Sequence, residues 1–441
     1  MQAKVEKLLP NFWIVDLLKP LCDTSSMADD RRHGHPEPVE TAPWEQASAA
    51  AVSRAGDLFQ LLRDGKPWTR AQLAVTTGLA RSTVAGKVDL LLGAGLIVSV
   101  GEALSSGGRP PSRFAFHPQA RTVLAADVGA SHVRVALTDL NGEVVAEDRS
   151  ALPVASGPEA VLGYVVESGR RLLAQVRQPV HLLAGVGIGL PGPVEHATGR
   201  PVKPPIMPGW DGFDVVEFVQ RAFPVPVLVD NDVNIMALGE RAGFWPGVDD
   251  LLFIKVATGI GSGIISSGQL QRGADGTAGD LGHVRVARGD GVMCRCGNIG
   301  CLEALASGAA VARSLAAQGV PATSGGDVVE LAAHGNLAAI QALRQAGRDI
   351  GEVLATCVNL LNPSVIVIGG SMSAAGEHVM AGVREVVYHR SPPLATTNLR
   401  IVLSRAGQRA AVMGASQLVS QHVLSPSGIE ATLAASVART G

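Results

Sequence analysis

The chain has few aromatic residues, few cysteines and no long apolar segment. Aromatic residues make up 4% of its 441 residues although 46% are hydrophobic, so the core must consist mainly of Ala, Val, Leu and Ile. That composition is typical of α/β proteins, in which helices cover a largely parallel sheet. No segment reaches the roughly 18 apolar residues of a membrane-spanning helix. Only Cys22 and Cys357 lie outside one short cysteine cluster, which excludes a disulfide framework and favours a reducing, cytoplasmic location.

An excess of charge of one sign is also lacking, since the chain has 37 basic and 39 acidic residues. A net charge of −2 gives the whole chain no general affinity for polyanions. The segment from Ser48 to Phe116 differs, because it contains eight Lys and Arg against four Asp and Glu. Before it, residues 1–47 include a polar, Pro-rich stretch, and we expect them to form a disordered N-terminal extension.

The basic segment has the pattern of a helix-turn-helix. A helix over residues 51–62 is followed by Thr69, a good N-cap for a short helix over residues 70–76, and by Gly78 at a turn. A second helix is predicted from about Ala80 to Leu92, and this succession is typical of helix-turn-helix motifs. The first residues of the second helix would enter the major groove of DNA. The residues that would contact bases or phosphates are Arg81, Ser82, Thr83 and Lys87.

Two β-like segments follow, LIVSV and RFAFHP, with a Gly/Ser-rich turn between them. Together they predict a two-stranded wing whose tip carries Arg109 on a Gly/Pro loop, a placement that suits the minor groove. Residues 48–118 are therefore predicted to form a winged helix-turn-helix that binds DNA. Two other interpretations are a small helical domain with solvated charges and a winged helix that docks another protein.

One short stretch contains a histidine and three cysteines: His283, Cys294, Cys296 and Cys301. Three thiolates and one imidazole form the ligand set of a closed tetrahedral zinc site, and sulfur ligands favour zinc over magnesium or calcium. Gly297 and Gly300 provide the turns that a tight chelate needs. We therefore predict a structural Zn²⁺ here, and the other interpretation is a loop with unrelated free thiols.

Three segments combine a strand with a Gly-rich turn that could hold phosphate. They lie at Asp127 and Gly129, from Thr258 to Gly263, and at Gly369 and Gly370. Each segment alone is more often a plain tight turn. Their order along the chain indicates the two-lobed actin/hexokinase-type architecture.

Two further turns lie between these segments. Pro191 and Gly192 follow a strand, where the backbone could approach a ligand closely. Asn231 and Asp232 stand where a strand passes into a helix. Asp232 is either a helix N-cap or a base that takes a proton from a sugar hydroxyl, and Asn231 offers a donor and an acceptor to a second hydroxyl.

On these motifs the chain resembles the ROK family (repressors, open reading frames and kinases), of the type that carries a winged helix-turn-helix. The most specific segments are VATGIGSGII, the Gly-rich run to Gly282-His283, and CRCGNIGCLE, and the resemblance covers about residues 48–424. It implies an α/β fold in which a two-lobed actin/hexokinase-like (ribonuclease H-like) ROK domain occupies residues 119–424. The Ser/Ala/Gly-rich residues 425–441 are predicted to be a flexible tail. The resemblance also implies zinc on the four residues given above, and a sugar pocket built from Gly192, Asn231, Asp232, Asp280, His283 and Glu303.

The phosphate loops depart from the kinase pattern of that family. Ala130 and Ser131 follow Gly129 where Gly-Thr is usual, and Ala257 and Ser262 replace glycines in the second loop. In the sugar pocket, Asp280 replaces the usual Glu. We therefore predict an intact sugar pocket beside a degenerate nucleotide site made of Asp127, Gly129, Thr258, Gly259, Gly261, Gly369 and Gly370.

The sequence thus predicts a sugar-responsive DNA-binding regulator, in particular a repressor of carbohydrate uptake or catabolism genes. Its expected partners are operator DNA, a small sugar or sugar phosphate effector, and further copies of itself in a homodimer or homotetramer through the ROK domain. The alternative is an active hexose kinase that also binds DNA and uses ATP and Mg²⁺, with Asp232 as its base and Asp127 facing the metal. A third interpretation is a scaffold whose winged helix docks protein, and it predicts no salt-sensitive DNA binding.

Overall fold

The computed structural model describes residues 55–102 and 110–440, so the predicted extension over residues 1–47 lies outside it. The helices are α1 (Ala55–Leu62), α2 (Arg70–Thr77), α3 (Arg81–Gly93), α4 (Pro158–Gln175), α5 (Val215–Gln220), α6 (Asp232–Phe244), α7 (Leu302–Ala306), α8 (Gly308–Ala317), α9 (Gly325–Ala333), α10 (Leu337–Leu361), α11 (Glu377–Arg390), α12 (Pro393–Thr396), α13 (Ala410–Val423) and α14 (Pro426–Thr440). The strands are β1 (Trp68–Thr69), β2 (Ile97–Glu102), β3 (Ser112–Phe116), β4 (Thr122–Val128), β5 (Val133–Asp139), β6 (Val144–Ser150), β7 (Leu183–Leu190), β8 (Val194–Glu195), β9 (Arg200–Pro201), β10 (Val227–Asn231), β11 (Leu251–Val256), β12 (Ile260–Ser266), β13 (Gln269–Gln271), β14 (Val365–Gly369) and β15 (Arg400–Leu403). Among the described residues, no helix has both the length and the apolar character needed to cross a membrane.

The first helices and strands form a winged helix. The Thr69 side chain accepts a hydrogen bond from the backbone N–H of Gln72, whose side chain in turn accepts from the backbone N–H of Thr69, so a capping box begins α2. Gly78 ends α2 in the left-handed conformation, with φ at 69°. Both predicted helices are confirmed within one residue at each end. Strands β2 and β3 pair as the wing, and β1 adds a third strand beside β3 that the sequence did not predict.

Two five-stranded sheets follow, and they share one topology. In the first sheet the order is β10-β7-β4-β5-β6, and in the second it is β13-β12-β11-β14-β15. Each sheet begins with three consecutive antiparallel strands and continues with two parallel strands beside the first of them. We call the halves of residues 119–424 that carry these sheets lobe 1 and lobe 2. This repeated arrangement confirms the predicted two-lobed α/β architecture.

Helices α6 and α13 pack between the two sheets and form a core with residues from both. They cross at two glycines, because a Cβ at Gly414 would overlap the carbonyl oxygen of Ile235 and one at Gly239 would overlap that of Ala410. Side chains at these positions would hold the helices apart, since backbones this close leave no room for them. The crossing therefore joins α6, which starts at Asp232, tightly to α13.

The prediction of a flexible tail from Ser425 is wrong, because Pro426–Thr440 forms helix α14. Ile429 and Leu433 of this helix are buried in the same hydrophobic cluster as α1, α2 and α3 of the winged helix. These two apolar residues lie four positions apart and therefore on one helical face. The abundance of Ser, Ala and Gly around them concealed this short pattern. The C-terminal helix thus completes the core of the N-terminal domain.

Candidate functional site

The predicted metal ligands His283, Cys294, Cys296 and Cys301 come together, and their ligand atoms all lie within 4.8 Å of one another. Sγ of Cys294 is 3.7 Å from Nδ1 of His283, and Sγ of Cys296 is 3.7 Å from Sγ of Cys301. Sulfurs about 2.3 Å from a shared tetrahedral zinc ion would be about 3.8 Å apart. The four residues therefore fit Zn²⁺ with all four positions filled by protein, which is the arrangement of a structural site.

The metal loop, which we define as residues 284–301, is fixed at both its ends and its middle. The backbone N–H of Val286 donates to the carbonyl oxygen of Gly300 at 3.0 Å, so the two arms of the loop lie side by side. Arg288 in this loop pairs with Asp349 on α10, and Nε of Arg288 lies 3.0 Å from Oδ1 of Asp349. Asp349 is only 3% exposed, so the loop is anchored to a buried charge in lobe 2.

The thiols of the cluster differ in acidity. Burial, together with the neighbouring sulfurs of Cys296 and Cys294, raises the pKa of Cys301 to about 12. The backbone N–H of Asn298, which donates to the sulfur, lowers the pKa of Cys296. A metal ion that binds here must displace the proton of Cys301, so metal affinity should rise with pH.

His283 connects the metal cluster with the predicted sugar pocket. Its Nδ1 faces Cys294, while its Nε2 lies 3.9 Å from Oδ1 of the exposed Asp280. A metal ion on Nδ1 would leave the Nε2–H group for Asp280 or for a ligand hydroxyl. Glu303 follows Cys301 by two residues in the first turn of α7, and its carboxylate accepts a hydrogen bond from the backbone N–H of Ile260 at 3.0 Å. The metal loop thus holds two predicted pocket residues.

Asn231 is joined directly to the turn at Gly192. Its side-chain amide donates to the Gly192 carbonyl oxygen at 2.9 Å, while its Oδ1 accepts from the backbone N–H of Val233 at 2.9 Å. Asn231 is therefore the N-cap of α6, and Asp232 is the first residue of the helix. Of the two roles considered for Asp232, helix N-cap or base, the N-cap role is performed by Asn231 instead. Gly192 has a φ of 90°, which only a glycine adopts without strain.

Asp232 is buried and forms an ion pair with Lys255 of β11. Burial raises the pKa of Asp232, and the Lys255 ammonium opposes that shift. Burial lowers the pKa of Lys255, but the carboxylates of Asp232 and Asp127 outweigh burial and hold this pKa above its usual value. Lys255 therefore helps to keep Asp232 ionised. The sequence analysis did not single out Lys255, although a lysine inside the buried strand LLFIKV is a signal that could have found it.

His132 lies over the first predicted phosphate turn. Its imidazole fills the space where a Cβ at Gly129 would stand, and its Nε2 is 3.4 Å from Oδ2 of Asp127. Asp127 is thus directed at a side chain of its own turn. In this conformation the turn does not fit a nucleotide phosphate, because the imidazole occupies the surface of Gly129.

The second phosphate turn is tied to the segments on either side of it. Ser262 is buried, and its hydroxyl donates to the carbonyl oxygen of Gly279 at 2.7 Å. This hydroxyl points to the segment that carries Asp280, so the serine links the turn to the pocket. Gly259 lies against the carboxylate of Glu303, and Thr258 is exposed. The structure thus brings the predicted phosphate turn and the predicted sugar residues together.

A second ion pair, with a buried carboxylate, connects the two lobes. Nε of Arg272, after β13 in lobe 2, lies 2.7 Å from Oδ2 of Asp230 on β10 in lobe 1. Asp230 also accepts from the Asn234 amide at 2.9 Å, and Nδ1 of His196 is 3.7 Å away. Burial and the Arg272 charge lower the pKa of His196, against the attraction of Asp230. Sequence reasoning missed this cluster, because its members come from three separate segments of the chain.

The predicted DNA-contacting residues of α3 lie on one surface. Arg81, Ser82 and Thr83 are exposed in the first turn, and Lys87 is half-buried one turn later. No side chain caps the helix at Ala80, so its first backbone N–H groups are not taken up by a capping side chain. The opposite face, with Val84, Val88 and Leu91, is buried in the winged-helix core. Arg109, predicted at the wing tip, lies outside the described residues.

Comparisons with known proteins agree with this architecture. The sequence profile of the ROK family matches residues 123–422. A xylose repressor from Caldicellulosiruptor bescii is 31% identical over 382 residues, which cover 83% of this chain and 95% of the repressor. The structure of a ROK family transcriptional regulator, a homolog of the E. coli MLC protein, has a TM-score of 0.75 and 26% identity, and the match covers 86% of this chain and 98% of the regulator. A ROK family glucokinase from Streptomyces griseus in complex with glucose and AMPPNP has a TM-score of 0.60 and 27% identity, and the match covers 68% of this chain and 99% of the kinase.

Proposed function

The chain belongs to the ROK family, and on that premise we propose that it is a sugar-responsive transcriptional repressor. Its winged helix binds operator DNA, and its cleft between lobe 1 and lobe 2 binds a small sugar. Binding of the sugar changes the affinity for the operator. The regulated genes belong to sugar uptake or catabolism.

The extent of each match along the chain is the observation that carries this proposal. The xylose repressor and the MLC homolog are covered over 95% and 98% of their lengths by matches that take in 83% and 86% of this chain. The glucokinase is covered over 99% of its length, yet its match takes in only 68% of this chain. The winged helix precedes the ROK match, which begins at residue 123. The regulators therefore correspond to far more of the chain than the kinase does.

The DNA contacts follow from the exposed end of α3. Arg81 is the proposed base reader, because a guanidinium can bind a guanine through two hydrogen bonds. Ser82, Thr83 and Lys87 contact further bases or phosphates, and Arg109 enters the minor groove. A homodimer would present two such helices about one helical turn of DNA apart, so the operator should be a pseudo-palindrome.

The sugar contacts are proposed for the residues that the metal loop and the start of α6 hold in place. A zinc ion on His283, Cys294, Cys296 and Cys301 would supply rigidity to the loop and no chemistry of its own. The proposed sugar ligands are Gly192, Asn231, Asp232, Asp280, His283 and Glu303. Asp232 accepts a hydrogen bond from a sugar hydroxyl, and Nε2–H of His283 donates one.

A continuous set of packed helices leads from this pocket to the winged helix. Asp232 begins α6, α6 crosses α13 at two glycines, and α13 is followed almost directly by α14. Helix α14 is hydrogen-bonded to α1, since the backbone N–H of Gly56 donates to the Glu430 carboxylate at 2.9 Å. If closing the lobes moves α6, α13 and α14 carry that movement to the DNA-binding domain. The sugar must then bind one of two arrangements better than the other, and operator DNA must prefer one of them as well.

The proposal is tested by measuring DNA binding by fluorescence anisotropy, with and without sugars. The DNA fragments come from upstream of the gene itself and of neighbouring operons. Xylose and glucose belong in the sugar panel with other pentoses, hexoses and amino sugars. We expect one fragment to bind with steep salt dependence and one sugar to shift that binding. The variant Asp232→Asn should bind the same fragment and lose most of the sugar response. Absent or salt-insensitive binding to every fragment would exclude the repressor.

The glucokinase relative and the presence of Asp232 favour a second candidate function, ATP-dependent phosphorylation of a hexose. In that case Asp232 would accept the proton of the attacking hydroxyl. Coupled detection of ADP release with the same sugars decides between the two candidates. Sugar-dependent ADP release that Asp232→Asn abolishes, with DNA binding retained, would establish the kinase. If no sugar causes ADP release, the repressor is the only one of the two candidate functions that remains.

A further inference from the structure

Lys255 is a charged side chain at the centre of the second sheet. On β11 its register partners are Gly261 of β12 on one side and Gly369 of β14 on the other. Register partners on adjacent strands present their side chains to the same face of a sheet, and these two partners have none. The Lys255 side chain therefore stands between the second and third predicted phosphate turns, with no side chain from a register partner beside it. Its side chain is 24% exposed, so it reaches the cleft.

The ammonium of Lys255 pairs with a carboxylate at the start of α6, and the charge of a second carboxylate, in lobe 1, acts on that pair. Nζ pairs directly with Asp232, whose side chain is 5% exposed. Asp127 of β4 acts on both members of this pair, raising the pKa of each through its charge. Nε2 of His132 lies 3.4 Å from Oδ2 of Asp127. Asp232 and Asp127 thus each have a basic residue of the same chain beside them.

A purely stabilising role does not explain this pair well. A buried ion pair loses hydration on both partners, and replacing it by apolar residues is often neutral or stabilising. The pair instead lies beside two of the turns predicted to hold phosphate, and phosphoryl-transfer sites use a divalent cation to neutralise charge next to the phosphates. A fixed ammonium there balances the carboxylates without an ion from solution.

We propose that Lys255 is the resident cation of the cleft, which takes over the charge-balancing role of a divalent metal ion at Asp232 and Asp127. The inference rests on the proposed function, since it concerns the sugar pocket of that function. Asp232 then acts, with Lys255 as its counter-ion, as the acceptor for a sugar hydroxyl, and sugar binding needs no divalent metal ion besides the structural zinc. Lys255 is a positioning residue, because it acts on the sugar through Asp232.

The variants Lys255→Met and Lys255→Arg separate charge from side-chain size. Sugar binding by zinc-loaded protein is measured by calorimetry in metal-depleted buffer, with and without added MgCl₂. We expect the wild type and Lys255→Arg to bind equally well in both buffers. Lys255→Met should bind about tenfold more weakly or worse without Mg²⁺, because its buried carboxylate has lost its partner, and should recover when Mg²⁺ is added.

Binding of Mn²⁺, followed by its electron paramagnetic resonance signal, is the second readout. Lys255→Met should bind one Mn²⁺ at the two carboxylates, while the wild type and the double variant Lys255→Met/Asp232→Asn should not. The double variant also controls for folding, since it carries no unpaired charge at this position. Any of three results would overturn the proposal. The wild type could require Mg²⁺ to bind sugar, Lys255→Met could bind sugar without Mg²⁺ as well as the wild type does, or all the proteins could bind Mn²⁺ equally. If the wild type binds no sugar at all, the proposed function fails, and the Mn²⁺ comparison alone still decides the role of Lys255.

Discussion

Replacing Arg272 by methionine should destabilise the protein strongly at alkaline pH and less at acidic pH. The pair with Asp230 is buried, with side-chain exposures of 21% for Arg272 and 4% for Asp230. Removing one partner of a buried ion pair costs about 3–5 kcal/mol. Because the Asn234 amide still donates to Asp230 in the variant, we expect a loss of about 3 kcal/mol, at the lower end of that range.

The pH dependence comes from His196, 3.7 Å from Asp230. Burial and the Arg272 charge now lower the pKa of His196, and the variant removes the second of these causes while Asp230 continues to attract a proton. The pKa of His196 in the folded variant should therefore rise, and a raised folded-state pKa stabilises the protein at low pH and loses its effect as pH increases. The deficit of Arg272→Met should shrink between about pH 8 and about pH 6.

Urea unfolding followed by tryptophan fluorescence at both pH values measures this deficit. Arg221→Met is the matched control, because the pair of Arg221 with Glu217 is exposed and its loss should cost less than about 1 kcal/mol. If Arg272→Met costs no more than this control, the buried pair does not hold the lobes together. A deficit that stays constant or grows towards acidic pH would refute the compensation by His196.

Further predictions concern the metal site, the C-terminal helix and the DNA surface. The Cys296→Ser variant should lose bound zinc, and both its stability and its sugar response should decrease; a variant that keeps the wild-type zinc stoichiometry would rule out Cys296 as a ligand. The zinc affinity of the wild type should increase with pH, because Cys301 must give up its proton to bind the metal. Ile429→Ala removes most of a fully buried side chain at a cost of about 2–5 kcal/mol, so it should weaken operator binding and leave sugar affinity unchanged. The control is Ala434→Ser, a substitution at an exposed position of the same helix. If both variants bind the operator equally well, α14 has no role in the winged helix. Arg81→Ala should cost about 1–3 kcal/mol on the operator and relax the choice of one base; an equal loss on random DNA would make Arg81 a phosphate contact.

The parts of the molecule that sequence reasoning described correctly are those set by residues close together in the chain. The capping box joins Thr69 and Gln72, which are three positions apart, and the cysteines that come together in the candidate metal cluster, Cys294 to Cys301, fall in one loop. The alternation of strands with Gly-rich turns sufficed for the two-lobed fold, because each strand and turn carries its own local pattern. Local spacing therefore determines these features before any distant contact forms.

The parts that sequence reasoning missed depend on contacts between distant segments. Lys255 and Asp232 are 23 positions apart, and Arg272 and Asp230 are 42 apart. Helix α14 contacts α1 across 374 positions, and its own composition gives a weak helical pattern. A charged residue inside a buried strand indicates that a partner must exist, but the sequence alone does not say which residue provides it.

The packing of α14 into the winged helix has a consequence for the order in which this protein matures. Helix α1 leaves the ribosome before the two lobes, whereas the residues that complete its core, Ile429 and Leu433, are translated after both of them. Domains generally fold as they emerge, but this one must wait for the whole ROK domain to be made. Contacts so distant in sequence also form slowly. A chain cut short before α14 by a nonsense codon would therefore lack a finished winged-helix core.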